Sequence, residues 1–242
     1  MNQGRGVLLP FYLVIDVSAS MSGDKLESAN KIMPKVVDAL ALNPILSDKV
    51  RFGLIDFGSD ARVQLPLCDV LDENLTLPQL SVRGSTSYAK AFELLRSEIA
   101  ANVQLLKADG YAVHRPAVFF LSDGEPNAED WQSAFRELTV YDRATKSGFA
   151  MYPNFVPCGV DGANGTILKT LIHPATGSKQ MQMYLMDKGE DAAKAITAIA
   201  EILISSMLAS GQSAVHGDSG IILPPKGDVP SGISAYHADD WV

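Results

Sequence analysis

The stretch Phe11-Tyr12-Leu13-Val14-Ile15-Asp16-Val17-Ser18-Ala19-Ser20 decides how this chain is read. Its five leading apolar residues form a short continuous run, which reads as a strand buried on both faces in the middle of a parallel sheet. The run ends in D-x-S-x-S. Side chains alternate along an extended segment, so Asp16, Ser18 and Ser20 face one way as the strand opens into a loop. A carboxylate and two hydroxyls are hard donors that suit Mg²⁺ or Mn²⁺, and no Cys or His lies nearby to favour zinc.

Alone, that spacing is weak. Two further stretches strengthen it. Gly84-Ser85-Thr86-Ser87 precedes a helical pattern and puts Thr86 on a loop that feeds a helix. Ala117-Val118-Phe119-Phe120-Leu121 is a second buried-strand run, and it ends in the turn-forming Ser122-Asp123-Gly124-Glu125-Pro126. Open parallel sheets place ligands beyond the carboxyl ends of their strands, where these oxygen-bearing residues fall. Each has a local alternative. Ser18 and Ser20 would cap the next helix, Thr86 the helix beginning after Ser87, and Asp123 would bond within its own turn. A divalent-metal site at Asp16, Ser18, Ser20, Thr86 and Asp123 replaces those separate explanations with one.

Outward from the first strand, helical and extended patterns alternate. Asp24-Lys25-Leu26-Glu27 reads as a capping box opening a helix that Pro34 kinks or breaks. Val50 to Phe57 and Arg62 to Leu67 read as a hairpin, Tyr88 to Leu106 as a helix, and Asn127 to Lys146 as another. Met151 to Cys158, Gly165 to Ile172, Gln182 to Met186 and Asp191 to Ala209 follow as strand, helix, strand and helix. The expected fold is α/β: a doubly wound, mainly parallel six-stranded sheet with one antiparallel edge strand and helices on both faces. Residues 1–210 make the domain. Residues 211–242, rich in Gly, Pro and Ser, make a C-terminal extension that Ile221, Ile222, Leu223, Tyr236 and Trp241 are suited to dock, and its acidic end offers Asp239 or Asp240 to a metal site.

The combination of D-x-S-x-S, a loop Thr and S-D-G-x-P resembles the metal-ion-dependent adhesion site of von Willebrand factor A domains, over about residues 8 to 210. That resemblance implies Ser18 and Ser20 as direct hydroxyl ligands and Thr86 as a direct or water-bridged one. It gives Asp16 and Asp123 as carboxylates acting mainly through water. It implies Mg²⁺, with Mn²⁺ or Ca²⁺ as alternatives, and a protein partner whose acidic side chain completes the coordination. Leu9 to Asp16 and Phe57-Gly58-Ser59-Asp60-Ala61-Arg62-Val63 further resemble the bacterial tellurite-resistance-associated TerY-like group, which implies a cytoplasmic, non-enzymatic adaptor for a protein kinase and a 2C-type phosphatase. A partner of an AAA+ ATPase in a metal-insertion or remodelling complex, and a scaffold in which the metal only stabilises, are the alternatives.

Composition narrows the classes. A chain of 242 residues that is 47% hydrophobic can bury one sizeable core. Its net charge of −8 shows no basic stripe for nucleic acid or anionic membrane. In the strand order that the resemblance implies, Cys68 and Cys158 fall on opposite sides of the central strand, so reduced cytoplasmic thiols are expected. Arg5, the apolar run from Val7 and Val17-Ser18-Ala19 imitate a secretion signal, but cleavage there would remove the central strand. Lys194 and Glu201 argue against a membrane span at Ala192 to Ala209. A metal-dependent phosphatase with Asp16 as nucleophile would use D-x-D, and Ser18 stands at its second position. No phosphate-binding G-x-x-x-x-G-K-[ST] loop, H-E-x-x-H or Ser-His-Asp set is present.

Overall fold

A computed structural model describes residues 5–216 and 220–240. In chain order the elements are β1 (Val7–Asp16), α1 (Asp24–Asn30), α2 (Ile32–Ala41), α3 (Pro44–Ser47), β2 (Val50–Phe57), β3 (Ala61–Cys68) and α4 (Tyr88–Ala108). There follow β4 (Ala112–Val113), β5 (Ala117–Ser122), α5 (Trp131–Thr139), β6 (Tyr141–Asp142), β7 (Ser147–Gly148) and β8 (Asn154–Gly159). The chain ends in α6 (Gly165–Thr170), β9 (Met183–Met186), α7 (Ala192–Val215) and β10 (Ile233–Tyr236).

The apolar run of β1 is buried from Leu8 to Asp16 because both its edges are paired and helices cover both its faces. It lies parallel to β2 on one side and to β5 on the other. The main sheet runs β10-β9-β8-β5-β1-β2-β3, with β4 pairing the start of β1. The fold is the doubly wound, mainly parallel α/β arrangement. The strand count differs from six, because β4 and the tail strand β10 join the sheet. The antiparallel partner of β2 is therefore matched by a second antiparallel pair, β9 with β10, at the opposite edge. Cys68 ends β3 and Cys158 lies in β8, with β5, β1 and β2 between them, and both are free thiols.

One local expectation holds and two change. The helical pattern breaks as expected, at Lys31, and Pro34 stands just after the break as the third residue of α2, where an amide has no intrahelical partner to lose. Asp24 does not cap α1. That place belongs to Gly23, whose φ of +74° suits a residue without Cβ, and the carbonyl of Gly23 accepts from the Glu27 amide at 3.1 Å. The helix expected to run to Lys146 stops at Thr139, and the remainder forms the β6–β7 hairpin. Asp142 organises that hairpin turn by accepting from the Ala144 amide and the Thr145 hydroxyl, both at 2.8 Å.

Helix α7 packs against α1, α2 and the sheet and buries Ile196, Ile199, Leu203 and Met207. It is long and apolar enough to cross a membrane by those measures alone, and half of its most apolar stretch is buried inside the fold. On the α4 side, Phe57 stacks on Phe120 at 5.0 Å, while Tyr88 meets Phe120 edge-on at 4.8 Å. This aromatic layer lies directly beneath the strand ends that carry the candidate ligands.

The tail lies along α7. Ser206 Oγ donates to the Ile222 carbonyl at 2.6 Å, and Ser210 Oγ accepts from the Ile222 amide at 2.8 Å. Ile233 and Ala235 then point their side chains into the core. Trp241 lies outside the described residues. Asp240 is engaged within the tail, by Lys226 and by the His237 amide, so it is not extended toward a metal site in its own molecule.

Candidate metal centre

The register of β1 with β5 pairs Ile15 with Leu121, which brings the following residues, Asp16 and Ser122, side by side on one face. Asp16 Oδ2 accepts from Ser122 Oγ at 2.7 Å, and Asp16 Oδ1 accepts from the Ser18 amide at 2.8 Å. Both carboxylate oxygens are engaged and the residue is fully buried. Burial pushes the Asp16 carboxyl up to about 6, against the donations from Ser18 and Ser122 that favour its ionised form.

Beyond Asp16 the hydroxyls continue in a line. Ser18 Oγ and Ser20 Oγ are 3.0 Å apart, and Ser20 Oγ donates to Asp123 Oδ1 at 2.7 Å. Thr86 arrives from the loop before α4. A Cβ added to Gly124 would stand 3.7 Å from Thr86 Oγ1 and 4.0 Å from Ser20 Oγ, so both oxygens border one small space above Gly124. The structure thus gathers all five expected residues at the carboxyl ends of β1 and β5.

The loop that carries Thr86 is fixed to the β2–β3 turn. Ser85 donates its amide to Ser59 Oγ, and Ser87 donates its amide to the Gly58 carbonyl, both at 2.9 Å. Gly84 adopts φ +57°, and a Cβ there would come 2.0 Å from Ser59 Oγ; one on Gly58 would come 2.0 Å from the Arg83 carbonyl. Only glycines allow the two loops to approach this closely. Arg83 reaches from the same loop to Asp56 and Asp60.

The local alternatives for these residues do not hold. Ser18 precedes the turn Ala19–Met21 without a side-chain cap bond, Ser20 lies inside that turn, and the residue before α1 is Gly23, which has no side chain to cap with. Helix α4 is capped by Ser87, not Thr86. The Asp123 carboxylate bonds Ser20 and Lys25, and the turn is closed instead by Ser122 Oγ, which accepts from the Gly124 amide at 3.3 Å.

Three contributors escape a reading of the sequence. Tyr88, the first residue of α4, donates to Ser122 Oγ at 3.0 Å and to the Gly124 carbonyl at 3.1 Å, tying the site to the aromatic layer. Its phenol is raised well above the usual range, mainly by burial. Lys25 bridges Asp123 Oδ2 at 2.5 Å and Asp161 Oδ2 at 2.7 Å. Burial works against its charged form, but the two carboxylates outweigh this and raise its pKa. Ser122 carried a signal, its place between a buried strand and Asp123; Lys25 and Tyr88 carried none. Glu125 is exposed and accepts from Asn164 Nδ2 at 2.8 Å.

The donor set fits a hard cation. Among the described residues no group of three or more His, Cys, Asp or Glu is placed to hold a metal ion, so a cation here would rest on hydroxyls backed by two carboxylates.

Residues 11–125, slightly under half of the chain, match the sequence model of the von Willebrand factor type A domain. The fold is shared with proximal thread matrix protein 1 from the mussel byssus, at a TM-score of 0.53 and 17% identity, over 96% of this chain and 49% of that one. It is also shared with a mutant of the PilB minor pilin from Streptococcus sanguinis (0.54, 11%, 89% and 64%). The pilus adhesin SpaC from Lactobacillus rhamnosus GG, in its open conformation, is similar as well (0.54, 12%, 85% and 30%). At such identities the likeness carries the fold alone, and the chain spans about half the length of the mussel protein. No curated protein sequence matches it.

Proposed function

We propose that the chain, whose residues 11–125 match the von Willebrand factor type A domain, is a non-enzymatic interaction module that binds its partner through a divalent metal. The observation that carries this is the continuous line Ser18 Oγ, Ser20 Oγ, Asp123 Oδ1, with Thr86 Oγ1 bordering the same space. Ser18, Ser20 and Thr86 would hold the ion, and Asp16 and Asp123 would act on it mainly through water. Mg²⁺ fits this hard oxygen set, with Mn²⁺ or Ca²⁺ as alternatives. A cation held by neutral hydroxyls keeps most of its charge and attracts an acidic side chain from a partner protein.

Geometry favours this over a phosphatase. A nucleophile must meet a substrate arriving from solvent, whereas the Asp16 carboxylate is fully buried with both oxygens in hydrogen bonds. The narrower reading is a cytoplasmic adaptor for a protein kinase and a 2C-type phosphatase. It is supported by the sequence stretches Leu9 to Asp16 and Phe57 to Val63.

The test is recovery of partners from native cytoplasm on tagged wild type in Mg²⁺, wild type in EDTA, and Asp16→Ala, identified by mass spectrometry. A kinase or phosphatase retained only by metal-loaded wild type supports the proposal. Equal recovery in all three moves the binding surface away from the metal.

A further inference from the structure

We propose that Lys25 is a built-in competitor at the metal centre: its ammonium shares Asp123 with the divalent ion and weakens cation binding, and Asp161 is the carboxylate that retains the ammonium when the ion is bound. This rests on the metal-site reading above.

The two oxygens of Asp123 divide between two neighbours. Oδ1 accepts from Ser20 Oγ, a hydroxyl assigned to the metal, and Oδ2 accepts from Lys25 Nζ. The ammonium therefore stands on the far side of one of the two carboxylates through which the ion would be neutralised. The Asp123 side chain has no solvent exposure and that of Lys25 only 15%, so water screens the pair little. A positive charge so placed repels an incoming dication and draws off negative potential that would otherwise attract it.

Asp161 gives the ammonium a second anchor. It sits in the turn after β8 in a left-handed conformation, φ +53°, and its side chain is 56% exposed. Lys25 can slacken its bond to Asp123 and remain paired. The opposite role for Lys25, orienting Asp123 for the metal, predicts the opposite sign when the charge is removed.

Calorimetric titration of Mn²⁺ into metal-free protein separates them. Lys25→Met keeps most of the aliphatic stem and removes the charge, and Lys25→Gln serves as a second variant should the first fold poorly. Competition predicts that both bind Mn²⁺ about tenfold more tightly than wild type. Asp161→Asn should weaken binding at least threefold in wild type and by much less in the Lys25→Met background, since its effect passes through the ammonium. Unchanged or weaker binding by the Lys25 variants overturns the competitor role, and an equal Asp161→Asn effect in both backgrounds overturns the anchor. If wild type shows no Mn²⁺ binding that Ser20→Ala removes, the metal centre itself fails. Binding by wild type without a gain in the Lys25 variants overturns this inference alone.

Discussion

Arg83 forms an ion pair with Asp56, joining the loop that carries Thr86 to the end of the second strand. Asp56 is 1% exposed, and its carboxylate also accepts from Gln64 Nε2 at 2.7 Å. Burial raises its pKa despite the Arg83 guanidinium, so this cation is what makes an ionised Asp56 tolerable. Removing one partner of such a pair leaves the other charge stranded. Arg83→Ala should lower unfolding free energy in urea by about 2–3 kcal/mol. Adding Asp56→Asn should recover part of it. An unchanged midpoint for Arg83→Ala would mean that the hydrogen bonds of the loop's backbone to Val17, Ala19, Gly58 and Ser59 hold it without the ion pair.

Thr86 tests the site apart from the fold. It is half-buried and lies outside the apolar core, and the helix after it is capped by its neighbour Ser87. Thr86→Ala should reduce cation affinity about 10–100-fold. Thermal unfolding of the metal-free protein should stay nearly unchanged. A large fall in melting temperature would assign Thr86 to structure.

The tail is part of the sheet, so its loss should be felt in stability and not at the metal. Ending the chain after His216 removes β10 and uncovers the core surface that Ile233 and Ala235 fill. The expected cost is at least about 2 kcal/mol from the apolar burial alone. Mn²⁺ affinity should stay at the wild-type value, because Asp240 is committed to Lys226 and the His237 amide. A loss of affinity at full stability would revive Asp239 or Asp240 as a ligand.

His173 contributes an acid sensitivity. Burial depresses its pKa, the Arg115 charge adds to this, and a bond to the Pro153 carbonyl opposes both. A histidine with a folded pKa below its unfolded value of about 6.5 contributes stability that is present above that value. The contribution is lost as pH falls through the lowered folded pKa. The difference in stability between wild type and His173→Gln should therefore shrink on acidification from about pH 7. A constant difference would remove His173 from the account.

The fold was legible where one short-range pattern decides it. An apolar run as continuous as Phe11 to Ile15 has few homes other than a central strand, and alternation then aims Asp16 and Ser18 without further information. The gathering of Asp16, Ser18, Ser20, Thr86 and Asp123 was legible for the same reason, since each lies just outside or at the boundary of a recognisable element. Lys25 and Tyr88 were not, because their roles depend on which helix surface crosses which strand end. The tail strand was missed because Ile233 to Tyr236 offers only four residues of alternation. The helix expected to reach Lys146 was overrun because its apolar spacing continues past Thr139, while the stop signal is a side-chain turn at Asp142.

The most direct measurement is anomalous diffraction at the manganese edge from crystals grown with MnCl₂. The account predicts one strong peak in the space bordered by Ser18 Oγ, Ser20 Oγ and Thr86 Oγ1, absent in crystals of Ser20→Ala. No peak there at saturating Mn²⁺, or a peak held by other residues, would contradict it.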